Sequence, residues 1–209
     1  MLITDRASSR LPLLESVEAA LKGGVDAVQL RDKDLGGHDL YRLGRELSAL
    51  TRRHGAGFYV NDRIDLAIAL RAHGVQLGAG SLPIREARRL LPPECRIGYS
   101  AHSAAELEGA TLSGADFVLL APIFAPLSKA TVAGRAPLGP EALWSISSAA
   151  TIPVYALGGL DAERTRMLMN PPTGRGRAPA GVAMIGALLG SDDPAAAARH
   201  VIAAMEGVG

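Results

Sequence analysis

The chain reads as an α/β protein, a compact single-domain (β/α)8 TIM barrel over residues 1–209, and three observations predict it. Short apolar runs alternate with amphipathic stretches eight times, about 26 residues per unit, which is the rhythm of βαβ units. Glycines stand where a helix must stop before a strand begins, at Gly23-Gly24, Gly55, Gly74 and Gly114. The apolar runs end in charged and amide side chains, as barrel strands do where their C-terminal ends carry chemistry. An open doubly wound sheet is the competing architecture. It expects Gly-x-Gly-x-x-Gly at the first strand-to-helix turn, and Thr4-Asp5-Arg6-Ala7-Ser8 lacks it.

Each element follows from its own residues. The first strand, Leu2–Thr4, is apolar and ends at Asp5. The second, Ala27–Arg31, alternates faces, so Gln29, Arg31 and Lys33 point one way while Val28 and Leu30 point toward helices. A helix over Asp39–His54 places Leu40, Leu43, Leu47 and Leu50 on one face, and Gly55 stops it. The third strand, Gly57–Asn61, leads through Asp62 into a helix over Ile64–Ala72. The fourth and fifth strands are Gly74–Leu77 and Arg96–Ser100. The sixth, Phe117–Ala121, precedes a long loop, Phe124–Gly139, which lies at the catalytic face and acts as a lid or is a flexible insertion. Val154–Leu157 and Val182–Ile185 complete the set. Between them Asn170–Ala180 joins a helix to a strand, so it belongs to the opposite, stability face, where it reads as a disordered connector.

Composition narrows the function classes. Lys+Arg 22 against Asp+Glu 21 leaves no clustered surplus of cations for a sequence-independent nucleic-acid surface. With aromatics at 4%, the core is packed from Ala, Leu, Val and Ile. The single cysteine, Cys95, has no disulfide partner and no metal-ligand companions, and reads as a small core residue. No apolar run approaches the ~18 residues of a membrane span and no leader pattern opens the chain, so a soluble cytoplasmic protein is expected.

Strand ends in a barrel converge on one mouth, which gathers Gln29, Arg31, Lys33, Asn61, Asp62, Gln76 and Ser100, with Ser128 and Lys129 on the long loop. Arg31, Lys33 and Lys129 together suit a polyanion such as a diphosphate; the alternative is solvated loop charge. Asp62 among these cations is either a Mg²⁺ ligand, since Mg²⁺ takes one or two carboxylates plus substrate phosphates and waters, or the N-cap of the helix that follows. Gly158-Gly159 after the seventh strand and Gly186 after the eighth suggest a second anion site built from backbone N–H groups. His102 is the one histidine near a strand end, and either moves protons or orders the next helix. No Ser/His/Asp or Cys/His nucleophile arrangement is present.

With these residues in place, the chain resembles the thiamine phosphate synthase/TenI family. The segments VQLRDKD, VNDRIDLAIA, HGVQLGAGSLP, RIGYSAHSAAE, GADFVLLAPIF, IPVYALGGLD and GVAMIGALL occur in the family's order and spacing over nearly the whole length. The resemblance implies a (β/α)8 barrel, a homodimer, that acts on small molecules in thiamine biosynthesis. Synthases of the family bind the diphosphate of an aminomethylpyrimidine with Mg²⁺ and basic residues; diphosphate leaves a stabilised pyrimidine cation, and a thiazole phosphate nitrogen attacks it. TenI-like members isomerise a thiazole phosphate carboxylate or have no clear activity. Position by position, Gln29, Arg31, Lys33, Asn61, Ser100 and Lys129 match the family's diphosphate and pyrimidine contacts. Asp62 matches a Mg²⁺ ligand, and Gly158, Gly159 and the turn at Gly186 match the thiazole phosphate site.

The departures are equally specific. Synthases carry Gly-Gln-x-Asp after the fourth strand, and here the run is Gly78-Ala79-Gly80-Ser81, so a hydroxyl replaces the second metal carboxylate. The Pro-Thr-x-Thr-Lys lid signature stands as Ala125-Pro126-Leu127-Ser128-Lys129. The run from Gln76 to Ser81 is similar to TenI, yet the acid/base histidine of a tautomerising TenI is replaced by Pro122. The retained set, Arg31, Lys33, Asn61, Asp62, Ser100 and Lys129, favours a synthase with a weakened Mg²⁺ site. A tautomerase relying on His102 and a non-catalytic thiazole or thiamine phosphate binder are the alternatives.

Overall fold

A computed structural model describes residues 1–125 and 135–207. Eight parallel strands lie in sequence order around a barrel: β1 Leu2–Ile3, β2 Ala27–Leu30, β3 Gly57–Asn61, β4 Gly74–Leu77, β5 Arg96–Ala101, β6 Phe117–Leu120, β7 Val154–Leu157 and β8 Gly181–Ala183. Leu2 bridges Met184 in parallel, and Ile3 N–H donates to the Met184 carbonyl at 2.9 Å. Those contacts close β8 onto β1, which satisfies both edges of what would otherwise be an open sheet.

The helices wrap this barrel: α1 Leu13–Lys22, α2 Gly37–Arg53, α3 Ile64–Ala69, α4 Ile84–Leu90, α5 Ala104–Leu112, α6 Gly139–Ala149, α7 Ala162–Met169, a short α8 Gly186–Leu189 and α9 Pro194–Met205. Val28, Leu30, Val60, Val75, Ile97, Val118, Leu120, Ala156 and Val182 face them and form one buried core between strand and helix layers. Leu40, Leu47 and Leu50 bury the inner face of α2 as their spacing requires, each adding roughly 1.5–3 kcal/mol of transfer free energy.

Inside the barrel, alternate residues stack in layers. The lower layer is aromatic: Tyr59 and Tyr155 flank Phe117 edge-on, with ring centroids 5.7 Å apart on each side. Glycines make room for it, because a Cβ on Gly74 would stand 2.6 Å from the Tyr59 ring and one on Gly98 would stand 2.3 Å from Phe117. The next layer upward holds Ile3, Gln29, Gln76, Leu119 and Ala183, all buried, together with half-buried Asn61, Ser100 and Leu157.

Several sequence expectations need correction. Gly74 does not terminate a helix: α3 ends at Ala69, Arg71 takes the left-handed angle (φ 49°), and Gly74 opens β4 because the Tyr59 ring leaves no space for a side chain. The ladder of β2 stops at Leu30, so Arg31 lies just beyond it. Asn170–Ala180 is no disordered connector. Arg177 donates from Nη2 to the carbonyls of Ser147 and, at 3.1 Å, Ala150, supplying donors that the C-terminal end of α6 lacks. Beside it a Cβ on Gly176 would fall 2.7 Å from the Trp144 carbonyl oxygen, so this segment lies flat on α6.

Candidate active site

The C-terminal ends of the strands bring the expected polar residues together. On β2 to β5 the register sets Asn61 beside Gln76 and carries Gln29 and Ser100 into the same layer. Two side-chain hydrogen bonds join them in pairs: Gln29 Nε2 donates to Asn61 Oδ1 at 3.1 Å, and Gln76 Nε2 donates to Ser100 Oγ at 3.0 Å. Gln29 and Gln76 are each 2% exposed, and the Oε1 of each is buried without a hydrogen-bond partner among the described residues. A buried acceptor without a protein partner is costly, so each of these oxygens gains by meeting a donor. Gly98 is what admits the Gln76 amide, since a Cβ there would lie 2.2 Å from its Oε1.

Above this layer stand the charges. Arg31 is half-buried and Lys33 exposed, and neither makes an ion pair among the described residues, whereas Arg6 and Arg63 are both held by carboxylates. Asp62 does not cap α3. Its neighbour Arg63 occupies the cap position, and no side chain caps that end. Asp62 itself is exposed and adopts φ 65°, the left-handed region, while its N–H donates to the Gln76 carbonyl at 2.8 Å. A non-glycine residue there is strained, and such strain gathers at functional sites.

Ser81 is used locally. Its Oγ accepts the Gly78 N–H at 2.9 Å, closing the turn after β4. His102 follows β5 and is tied down twice: its backbone N–H donates to Glu106 Oε2 at 2.9 Å, and ring Nδ1 lies 2.7 Å from the Ala121 carbonyl oxygen. A carbonyl only accepts, so Nδ1 carries the proton and Nε2 is the acceptor of the neutral ring. Ser103 caps α5 through Glu106, so this stretch also orders the helix start.

On the far side of the mouth, Gly158 (φ 102°) and Gly159 (φ 63°) form the turn after β7. A Cβ on Gly159 would come 2.3 Å from the Ala125 carbonyl oxygen, so these glycines let β7 pack against the stem of the long loop. The stem is closed at its neck, with Leu138 N–H donating to the Pro122 carbonyl at 2.9 Å and Gly139 N–H to that of Ile123 at 3.0 Å. Arg164 of α7 reaches the Gly159 carbonyl and stacks over Phe124, 4.9 Å from the ring centre. Gly186 opens α8 after β8. Ser128 and Lys129 lie outside the described residues.

A cavity of about 410 Å³ opens at the N-terminal end of the barrel between Tyr59, Phe117, Tyr155 and the C-terminal part of α9. Burial pushes the Tyr59 phenol above its ordinary value there, with nearby Arg96 opposing. The polar strand ends, not this aromatic floor, carry groups able to bind and activate a substrate. Cys95 is 3% exposed and burial raises its thiol, which leaves it an inert core residue.

The sequence of residues 1–188 matches the family described as thiamine monophosphate synthase. The chain belongs to that family. The thiamine-phosphate synthase of Moorella thermoacetica is 40% identical over 204 residues, covering 96% of this chain and 92% of that one. That of Methanoregula boonei is 42% identical over 187 residues, covering 90% and 83%. Among solved structures, the thiamine phosphate pyrophosphorylase from Pyrococcus furiosus superposes with a TM-score of 0.85 at 34% identity, covering 100% of this chain and 96% of that one. Family membership agrees with the (β/α)8 architecture. Thr4 Oγ1 and Arg6 both donate to the buried Asp32 carboxylate at 3.1 Å, a contact between the ends of β1 and β2 that strand spacing alone does not reveal.

Proposed function

We propose that this chain is a thiamine phosphate synthase, a transferase that joins an aminomethylpyrimidine diphosphate to a thiazole phosphate with release of diphosphate. One observation carries the reading: two cations without an ion pair among the described residues, Arg31 and Lys33, stand over the amides of Gln29, Asn61 and Gln76 at the barrel mouth, beside an exposed carboxylate, Asp62, in a strained backbone. A diphosphate needs the cations, and an aminopyrimidine supplies donors for the Oε1 atoms of Gln29 and Gln76, which have no partner among the described residues.

In this scheme the bond between the methylene carbon and the diphosphate oxygen breaks, and its electron pair leaves with the diphosphate. Arg31 and Lys33 stabilise that developing charge together with Lys129 of the long loop. Such preorganised groups are each worth about 10² to 10³ in rate. Gln29, Asn61, Gln76, Ser100 and Ser128 orient the pyrimidine and its leaving group, while backbone N–H groups at Gly158, Gly159 and Gly186 hold the thiazole phosphate. The thiazole nitrogen then attacks the methylene carbon, forming the carbon–nitrogen bond of the product.

The residues present fit Mg²⁺ in a reduced form. No group of three or more His, Cys, Asp or Glu side chains converges among the described residues, and the Ser81 oxygen is engaged by Gly78. Asp62 remains as one exposed carboxylate at the mouth, which suffices for an ion that keeps most of its waters and takes the rest of its ligands from phosphate. Bound there, Mg²⁺ would neutralise part of the diphosphate charge.

The test is direct: purified protein, Mg²⁺ and both substrates, with thiamine phosphate measured. Product that depends on Mg²⁺ supports the reading, and its absence overturns it. A tautomerase reading draws support from His102, whose Nδ1 bonds the carbonyl just before Pro122 and leaves Nε2 to accept a proton. Turnover of the thiazole phosphate carboxylate that is lost in His102→Ala would establish that alternative. A cytoplasmic homodimer completes the proposal; no described helix is long and apolar enough to cross a membrane, and sedimentation tests the dimer.

A further inference from the structure

Arg31 and Lys33 pose a mechanical problem, because both lie beyond the last ladder residue of β2, Leu30. A backbone free to turn there would swing both cations together, and an anion site held so loosely loses its electrostatic advantage. Among the described residues, the side-chain anchors that replace the ladder come from the end of β1 and the turn after it. Thr4 Oγ1 accepts the Arg31 N–H at 2.8 Å and donates to Asp32 Oδ2 at 3.1 Å. Asp32 Oδ1 accepts both the backbone N–H and the Nε–H of Arg6 at 3.1 Å. Arg6 Nη2 reaches past Lys33 to Asp34 Oδ2 at 2.6 Å. Anchors therefore stand on both sides of Lys33, and Asp32 turns its carboxylate away from Arg31 and Lys33 into the protein, where its side chain is 2% exposed.

We infer that Thr4, Arg6 and Asp32 are positioning residues for substrate diphosphate: they touch no substrate, and they fix the angle at which Arg31 and Lys33 are presented. A buried carboxylate satisfied by three donors is costly to misplace, so it holds the segment in one arrangement. Arg6 is engaged by two carboxylates, through Nε on Asp32 and Nη2 on Asp34. The inference rests on the diphosphate reading of the site, and the experiment separates the two.

Inorganic pyrophosphate with Mg²⁺ is titrated calorimetrically into wild type, Thr4→Val, Thr4→Ser, Asp32→Asn and Arg6→Ala, and each is assayed with both substrates. Thr4→Val and Asp32→Asn are expected to weaken pyrophosphate about tenfold or more. Their kcat/KM for the pyrimidine diphosphate falls about 100-fold while KM for the thiazole phosphate stays within about twofold. Thr4→Ser keeps the hydroxyl and rescues binding. Arg6→Ala leaves the buried groups in place, so it reports in the same direction even where another variant fails to fold. Folded variants that bind pyrophosphate as wild type does overturn the inference, as does an equal rise in KM for both substrates. Wild type that binds pyrophosphate but forms no product removes the synthase reading, and the titrations then decide the positioning role alone. Wild type that fails to bind pyrophosphate overturns both.

Discussion

Asp62 shows how a single residue records its use in its backbone. Its left-handed φ of 65° costs free energy that no hydrogen bond of its side chain repays among the described residues. Asn tolerates the same angle, so Asp62→Asn should melt at the wild-type temperature yet lose about 10² to 10³ in Mg²⁺-dependent rate. Thermal melts and a magnesium titration of turnover check both halves, and unchanged turnover would remove Asp62 from the mechanism. Ser81 gives the complementary experiment. A carboxylate at this position can still accept the Gly78 N–H while offering a second oxygen to the mouth. Ser81→Asp should therefore lower the Mg²⁺ concentration needed for half-maximal rate, and an unshifted titration would mean that the position does not face the metal. The amides, Asp62 and the strand-end cations were legible in the sequence because each stands at or just after the C-terminal end of an apolar run, where a barrel gathers its polar groups. The choice between cap and ligand at Asp62 was not, since Asp is a good N-cap and only the observed dihedral excludes that use.

At the scale of elements, the connections carry more information than the helices. Arg164 joins the turn after β7 to the stem of the long loop, so the proposed phosphate subsite and that stem share one support. The segment before β8 behaves in the opposite way from its composition. Asn170–Ala180, rich in Pro and Gly, reads as a disordered connector, but Arg177 finds the open carbonyls at the end of α6, a partner 27 to 30 residues away in sequence. Arg177→Ala should destabilise the fold by about 1 kcal/mol, measurable as a lower melting temperature. Turnover below the melt should be unaffected, because the contact lies on the face opposite the strand ends; a parallel loss of activity would contradict this assignment.

The whole barrel depends on how its interior layers share space. Gly98 lies between them, with the Phe117 ring and the Gln76 amide both inside the volume a methyl group would need. Gly98→Ala should cost about 1–3 kcal/mol of stability through overpacking and should also disturb the amide row above it. Melting curves and the KM for the pyrimidine substrate test this together. A variant of wild-type stability would mean that Phe117 can move aside without cost. Closure by the Leu2 and Met184 contact makes these layers continuous, so the aromatic floor supports the polar layer around the full circle.

The sequence by itself determined the repeating βα units, the core-facing residues of strands and helices, and most of the polar residues at the mouth. All of these follow from periodicity and from short-range rules about where helices stop. Only the tertiary structure decided that Gly74 serves an aromatic ring, that Arg177 caps a distant helix, and that Thr4, Arg6 and Asp32 fasten one strand end to the next. Those roles depend on pairs of residues brought together by barrel closure and strand register. A local pattern reports which way a side chain points, whereas its partner is fixed only when the whole chain has folded.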